Sequence, residues 1–156
     1  SAFLLYIVAI SRLEDIKRVF MYHGAEHKVI HTYESGKELT VENAREFTTL
    51  HARCGTNFIF IVIILSILFF SFFGRPPLLY RILYHLMLLP IIAGTSYEVI
   101  KLAGGDDVNP IIKVLSTPGL LLQKLTTKEP DEDMLEVAIT ALKGVLPEEE
   151  RGEEYV

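Results

Sequence analysis

Cys54-Gly55-Thr56-Asn57-Phe58-Ile59-Phe60-Ile61-Val62-Ile63-Ile64-Leu65-Ser66-Ile67-Leu68-Phe69-Phe70-Ser71-Phe72-Phe73-Gly74 is an unbroken run of 21 uncharged residues between Arg53 and Arg75. At ~1.5 Å per helical residue, a run of this length crosses a ~30 Å hydrocarbon core. The same run would suit the buried helix of a soluble protein. A chain of 156 residues, however, has too little protein to cover such a segment on every side. The hydropathy rule therefore predicts a transmembrane helix here.

Working outward, Gly74-Arg75-Pro76-Pro77 predicts a break, because proline lacks a backbone donor and pushes the residue before it out of the helical region. A second apolar stretch at residues 82–102, interrupted by His85, Pro90, Gly94, Glu98 and Lys101, completes a hairpin and is expected to pack against protein on one side. The opening residues, Ala2 to Ile10, are apolar but too few to span a bilayer alone, and no basic region precedes them. They are expected to be the end of a truncated transmembrane helix rather than a signal peptide. Of the fifteen basic residues, seven lie between Arg12 and Arg53, two near the hairpin turn, and six from Lys101 onward. The positive-inside rule places both flanking segments in the cytoplasm and the turn outside.

The predicted fold is thus all-α: an integral membrane helical protein with a transmembrane hairpin, cytoplasmic amphipathic helices and a truncated N-terminal transmembrane helix. Its expected divisions are the truncated helix at 1–11, a cytoplasmic His-rich helical segment at 12–53, the transmembrane hairpin at 54–103, interfacial and cytoplasmic helices at 104–146, and an acidic tail at 147–156. Within the fourth division, residues 111–125 suit an interfacial helix pair. A soluble helix follows from about Pro130, with acids near its first turn, Lys143 in its last turn and Gly144 as its stop.

Composition narrows the function. Half the residues are apolar and 22% are charged, with a mean hydropathy of +0.33, so the two classes must be segregated along the chain. A net charge of −5 and the lack of an interleaved basic and aromatic stripe argue against a nucleic-acid partner. The single cysteine, Cys54, excludes an internal disulfide. The expected location is the cell membrane, multi-pass, with the His-rich segment and the C-terminus cytoplasmic.

Chemistry is concentrated in His23-Gly24-Ala25-Glu26-His27. This is an H-x-x-E-H motif, which on a helix sets two imidazoles on one face with a carboxylate beside them. That is a ligand spacing for zinc or another divalent metal, with Glu26 as catalytic base, as in the inverzincin pattern. The same residues suit a polar helix face whose histidines only hydrogen-bond. His31 extends the stripe by four residues. His51 and Cys54, three apart, are further candidate ligands, although a small buried residue is the commonest role of a cysteine. Glu98, near the cytoplasmic end of the second span, is either a functional carboxylate that completes the site or a partner of Lys101. His85, thirteen residues earlier, is read as a helix-packing or interfacial residue.

Tyr22-His23-Gly24-Ala25-Glu26-His27-Lys28, His51-Ala52-Arg53-Cys54-Gly55-Thr56, Ser96-Tyr97-Glu98, Pro118-Gly119-Leu120, Leu122-Gln123 and Thr126-Thr127-Lys128-Glu129-Pro130 together resemble the YqhQ-like family of bacterial membrane proteins. The resemblance runs from Ser11 to about Val145. It departs at Ala52, where proline is expected, and in the acidic tail after Leu146. It implies a domain of unknown function usually labelled a predicted metal-dependent enzyme. Two readings stand side by side. One is a membrane-embedded zinc hydrolase at the cytoplasmic face. The other is a non-catalytic scaffold or assembly factor that has the lipid bilayer around it and docks a protein partner through its C-terminal helix, with Leu135, Ala138, Leu142 and Val145 on that helix's buried face.

Overall fold

The structure, a computed structural model, describes residues 2–105 and 108–147; the acidic tail from 148 lies outside the described residues. Seven helices and no strand occur among them: α1 (Ala2–Ile10), α2 (Glu14–Glu34), α3 (Val41–Arg45), α4 (Gly55–Ser71), α5 (Leu78–Ala103), α6 (Pro110–Thr126) and α7 (Glu132–Val145). The all-α expectation holds. Local chemistry sets several of the ends. Glu14 and Asp15 open α2 and His31 lies in its last turn, as the helix dipole prefers. Thr40 caps α3 by accepting from the Asn43 amide, and Asp131 caps α7 by accepting from the Met134 amide at 3.0 Å, each satisfying an orphan donor.

Three boundaries differ from the sequence reading. Helix α4 is 17 residues long, shorter than the uncharged run, because Cys54 serves as its N-cap and the chain turns after Ser71. Residues 111–125 form one helix, not a pair, and α6 carries Pro118 in its interior. Gly144 does not stop α7; the helix runs to Val145 and ends as Leu146 adopts extended backbone (φ −73°, ψ 149°), which the following Pro147 demands.

The chain divides into two compact units, Ser1–His51 with Gln123–Val156, and Ala52–Leu122. In the first, α2 buries two nearly opposite faces, since residues two apart on a helix differ by about 200°. Ala25 and Val29 meet Ala44, Met134, Leu135 and Ile139 in an apolar core, with Met21, Leu39, Val41, Ala138 and Leu142 around it. Leu135, Ala138 and Leu142 of α7 thus pack inside the unit, while Val145 is exposed. The other face of α2 carries the histidines.

In the second unit, α4 packs on α5 through Ile61, Leu65, Ile92 and Ile100. The ring of His85 stacks on Phe70, centroids 3.9 Å apart, a packing role. Gly119 of α6 meets Asn57 so closely that a Cβ would overlap the Asn57 backbone. The outward positions are apolar too: Ile59, Ile63 and Ile67 of α4 and Leu79, Leu83, Leu86 and Leu89 of α5 are exposed. Helix α5 is the one described helix long and apolar enough to cross a membrane; α4 is a shorter apolar helix.

Candidate metal centre

Residues 46–51 have no regular secondary structure for most of their length, so their carbonyls must find partners elsewhere. Helix α2 supplies them. The buried Lys28 ammonium donates to the carbonyls of Arg45 (3.2 Å) and Phe47 (2.6 Å) and pairs with Glu129 at 3.0 Å. From the preceding residue, His27 Nδ1 donates to the Thr49 carbonyl at 2.6 Å. His31 Nε2 donates to the Leu50 carbonyl at 2.9 Å. Three side chains of one helix thereby hold the segment against α2. On the same face His23 Nδ1 donates to the Thr126 carbonyl at 3.0 Å.

A carbonyl only accepts, so each of these nitrogens carries a hydrogen, and in a neutral ring the opposite nitrogen keeps its lone pair. Histidines that ligate metals are held in this way, with the second nitrogen donating to a carbonyl or carboxylate. His51 joins them from the segment. Its own backbone is clamped at both groups by the fully buried Gln123: the His51 amide donates to Gln123 Oε1 at 2.9 Å, and Gln123 Nε2 donates to the His51 carbonyl at 3.0 Å. The imidazoles form a continuous row. His23 and His27 centroids are 4.4 Å apart, His27 and His51 5.7 Å, and His51 and His31 4.6 Å.

Glu34 stands at the end of the row, its Oε2 3.2 Å from His51 Nε2. Burial pushes the His51 pKa below its ordinary value, against the opposing pull of the Glu34 hydrogen bond and charge, and neighbouring His31 and His27 lower it further. The lowered value favours the uncharged ring, the form of histidine that ligates metals. His31, Glu34 and His51 bring one ligand atom each to within 4.8 Å of one another.

Gly24 belongs to this architecture. A Cβ there would overlap the Lys128 carbonyl, and the Lys128 amide donates to the Phe20 carbonyl at 2.9 Å. The middle of the H-x-x-E-H motif is thus the place where the chain after α6 crosses α2.

The proposed base, Glu26, is exposed. With Tyr22, Ile30, Val137, Ala141 and Val145 it lines a groove of about 410 Å³ in which it is the one charged side chain among the described residues. Cys54 and Glu98 belong to the second unit. Cys54 is partly buried at the start of α4. The Glu98 carboxylate is exposed, with the Lys101 ammonium at 4.0 Å. The sequence reading gave no role to Glu34, Gln123 or Lys28, although Lys28 and Gln123 stand in the stretches that carry the family resemblance. A signal for Glu34 was present: His31-Thr32-Tyr33-Glu34 repeats the H-x-x-E spacing of His23-Gly24-Ala25-Glu26. The clamp by Gln123 and the donation by Lys28 depend on partners distant in sequence, so no local spacing reveals those roles.

The profile described as "Protein of unknown function (DUF1385)" matches residues 1–148. Over 141 residues the chain is 43% identical to "Uncharacterized protein YqhQ" of Bacillus subtilis (strain 168), an alignment covering 90% of this chain and 44% of that protein. The chain therefore spans less than half the length of that relative. No solved structure matches it. On a profile match over almost its whole length, the chain belongs to the DUF1385 family of proteins of unknown function.

Proposed function

We propose that this is a multi-pass membrane protein that binds zinc or another divalent ion through its histidine row and hydrolyses a substrate at the cytoplasmic face of the bilayer. The observation that carries the reading is the hydrogen bonding of His23, His27 and His31, each of which commits one ring nitrogen to a backbone carbonyl, the way histidines that ligate metals are held. His23 and His27 would hold the ion. When bound, it supplies Lewis acidity and makes water nucleophilic at neutral pH. Glu26, adjacent to His27, takes the proton, and the apolar groove that Glu26 lines receives an apolar part of the substrate, such as an acyl chain or an apolar peptide side chain.

The membrane setting rests on exposure. Only 6% of the apolar window of α5 is buried, whereas a core helix of a soluble protein with the same length and hydropathy is mostly buried. The sequence adds Cys54 and Glu98 as further donors.

Metal analysis of the purified protein tests the centre: His23→Ala with His27→Ala should lower the content of divalent ion, and Glu26→Gln should keep the ion and abolish hydrolysis of acyl-ester and peptide substrates. Equal metal in the double variant and the wild type would refute the assignment. Cys54→Ser and Glu98→Gln, measured in the same way, test the two further donors. Sidedness follows from cysteines placed at Glu38 and Arg75 in a Cys54→Ser background, which should react with an impermeant thiol reagent from opposite sides of the membrane.

A second reading has an observation of its own. Every histidine in the row already has a protein hydrogen-bond partner, so the row also serves a metal-free scaffold that ties α2 to residues 49–51 and Thr126, with α7 offered to a protein partner. Protein that contains no stoichiometric metal after purification without chelator would favour it.

A further inference from the structure

The histidine row is too long for one ion. His23 and Glu34 are eleven residues apart on a continuous helix, about 16 Å along its axis. Donors of one ion with bonds of about 2.0–2.2 Å lie no more than about 4.4 Å apart. Even with both side chains leaning together, the two ends of the row serve different positions. At the far end the geometry already has the form of a ligand set. A tetrahedral ion with such bonds separates its ligand atoms by about 3.4 Å, and His51 Nε2 and Glu34 Oε2 are 3.2 Å apart. All three ligand atoms of His31, Glu34 and His51 fall within 4.8 Å, so the remaining edges close by roughly 1 Å or slightly more, a distance that side-chain rotation supplies.

The scaffold around these residues is fixed. His31 and Glu34 are three apart on one face of α2, the His31 ring stacks on Phe47 with planes 13° apart, and Gln123 holds the His51 backbone at both polar groups.

We propose that His31, Glu34 and His51 form a second divalent-ion site, distinct from the H-x-x-E-H pair, with two imidazoles and one carboxylate. Two neutral nitrogens and a carboxylate oxygen suit a first-row ion such as zinc(II) or iron(II), with coordination positions left open. On binding, the ion takes the place of the proton shared between Glu34 and His51. The one ring hydrogen of neutral His51 moves from Nε2 to Nδ1 by exchange with water, so that Nε2 ligates with no net loss of a proton. The proposal extends the metal-centre reading above, and the two fail separately in the following experiment.

The full chain, purified in detergent and stripped with a chelator, is re-equilibrated with Zn²⁺, freed of excess and its bound zinc counted. The expected values are two ions per chain in the wild type, one in Glu34→Gln and one in His31→Ala, and one in the His23→Ala, His27→Ala double variant. Glu34→Gln keeps the shape of the side chain, so it remains informative if His31→Ala fails to fold. Co²⁺ loading gives a second readout: Glu34→Gln should remove one of two visible absorption environments and leave the other. A wild type that holds one ion, lost in the double variant but retained in Glu34→Gln and His31→Ala, overturns the second site and leaves Glu34 as an orienting partner of His51. A wild type that holds one ion, lost in Glu34→Gln and retained in the double variant, supports this site and removes the ion from His23 and His27. A wild type that holds none overturns both.

Discussion

The two units of this protein solve opposite problems. In the first, polar groups are buried and nearly all of the burial is answered: Lys28 has two carbonyls and a carboxylate, and His27, His31 and Gln123 each meet backbone across the unit. In the second, the interior between α4 and α5 is apolar, and the outward faces are apolar as well. Three of its buried polar atoms, Asn57 Oδ1, Ser96 Oγ and Ser116 Oγ, have no hydrogen-bond partner among the described residues, while Asn57 Nδ2 donates to the Ala52 carbonyl at 2.6 Å. One unit is organised around satisfied hydrogen bonds, the other around surface that avoids water. The contrast explains how a chain with average hydropathy only modestly above zero divides its labour.

The comparison breaks most visibly at Ile63, the middle residue of α4 and half exposed. If its side chain faces lipid, Ile63→Lys should cost about 3–4 kcal/mol of insertion free energy, read as loss of membrane-inserted protein; a water-facing residue would tolerate the change. Next comes Gly24→Ala, where the added carbon overlaps backbone rather than a flexible side chain. We expect a loss of about 3 kcal/mol, near the upper end for overpacking, measured by denaturant unfolding, with metal content falling because the Lys128 backbone that must shift lies two residues from the His23 acceptor Thr126.

Lys28→Met is expected to cost less, about 2 kcal/mol by the same measurement. The variant leaves the Arg45 and Phe47 carbonyls without their donor, but Glu129 is 75% exposed, so no buried charge is stranded. A cost near 5 kcal/mol would mean that the pair behaves as a buried ion pair. The smallest expected effect is that of Gln123→Met, about 1 kcal/mol in stability and about a tenfold weakening of metal binding, the range typical of an outer partner of a ligand. Unchanged affinity would show that the His51 backbone needs no clamp.

Much of the fold was legible because its signals are local. The uncharged run from Cys54 to Gly74 and the capping acids of α7 announce their helices within a few residues, and the i, i+4 spacing of His23, His27 and His31 places three rings on one face by helical geometry alone. The second half of the site was not legible in the same way. Glu34 repeats a spacing already noticed, yet only the arrival of His51 beside it gives the repeat a meaning, and His51 is held by Gln123, 72 residues further on. Lys28 reads as a solvated lysine in any window of sequence. Its burial follows from the carbonyls of residues 45 and 47, one at the C-terminal end of α3 and one in the irregular backbone beyond it, both of which need donors from elsewhere. The end of α7 was misjudged for a simpler reason: a glycine inside a helix is tolerated at a modest cost, whereas a proline after it is not.

The pairing of His51 with Gln123 also imposes an order of events on the ribosome. A nascent chain that has just emerged through His51 already contains α2 and all four histidines of the row, but not the side chain that fixes the last of them. Another 72 residues must follow, which at 5–20 residues per second takes roughly 4–14 s, and the hairpin is made within that interval. Completion of the row is therefore a late step of biogenesis, reached only after the apolar hairpin has been made, and a chain stalled within the hairpin would present the imidazoles without the side chain that fixes the last of them.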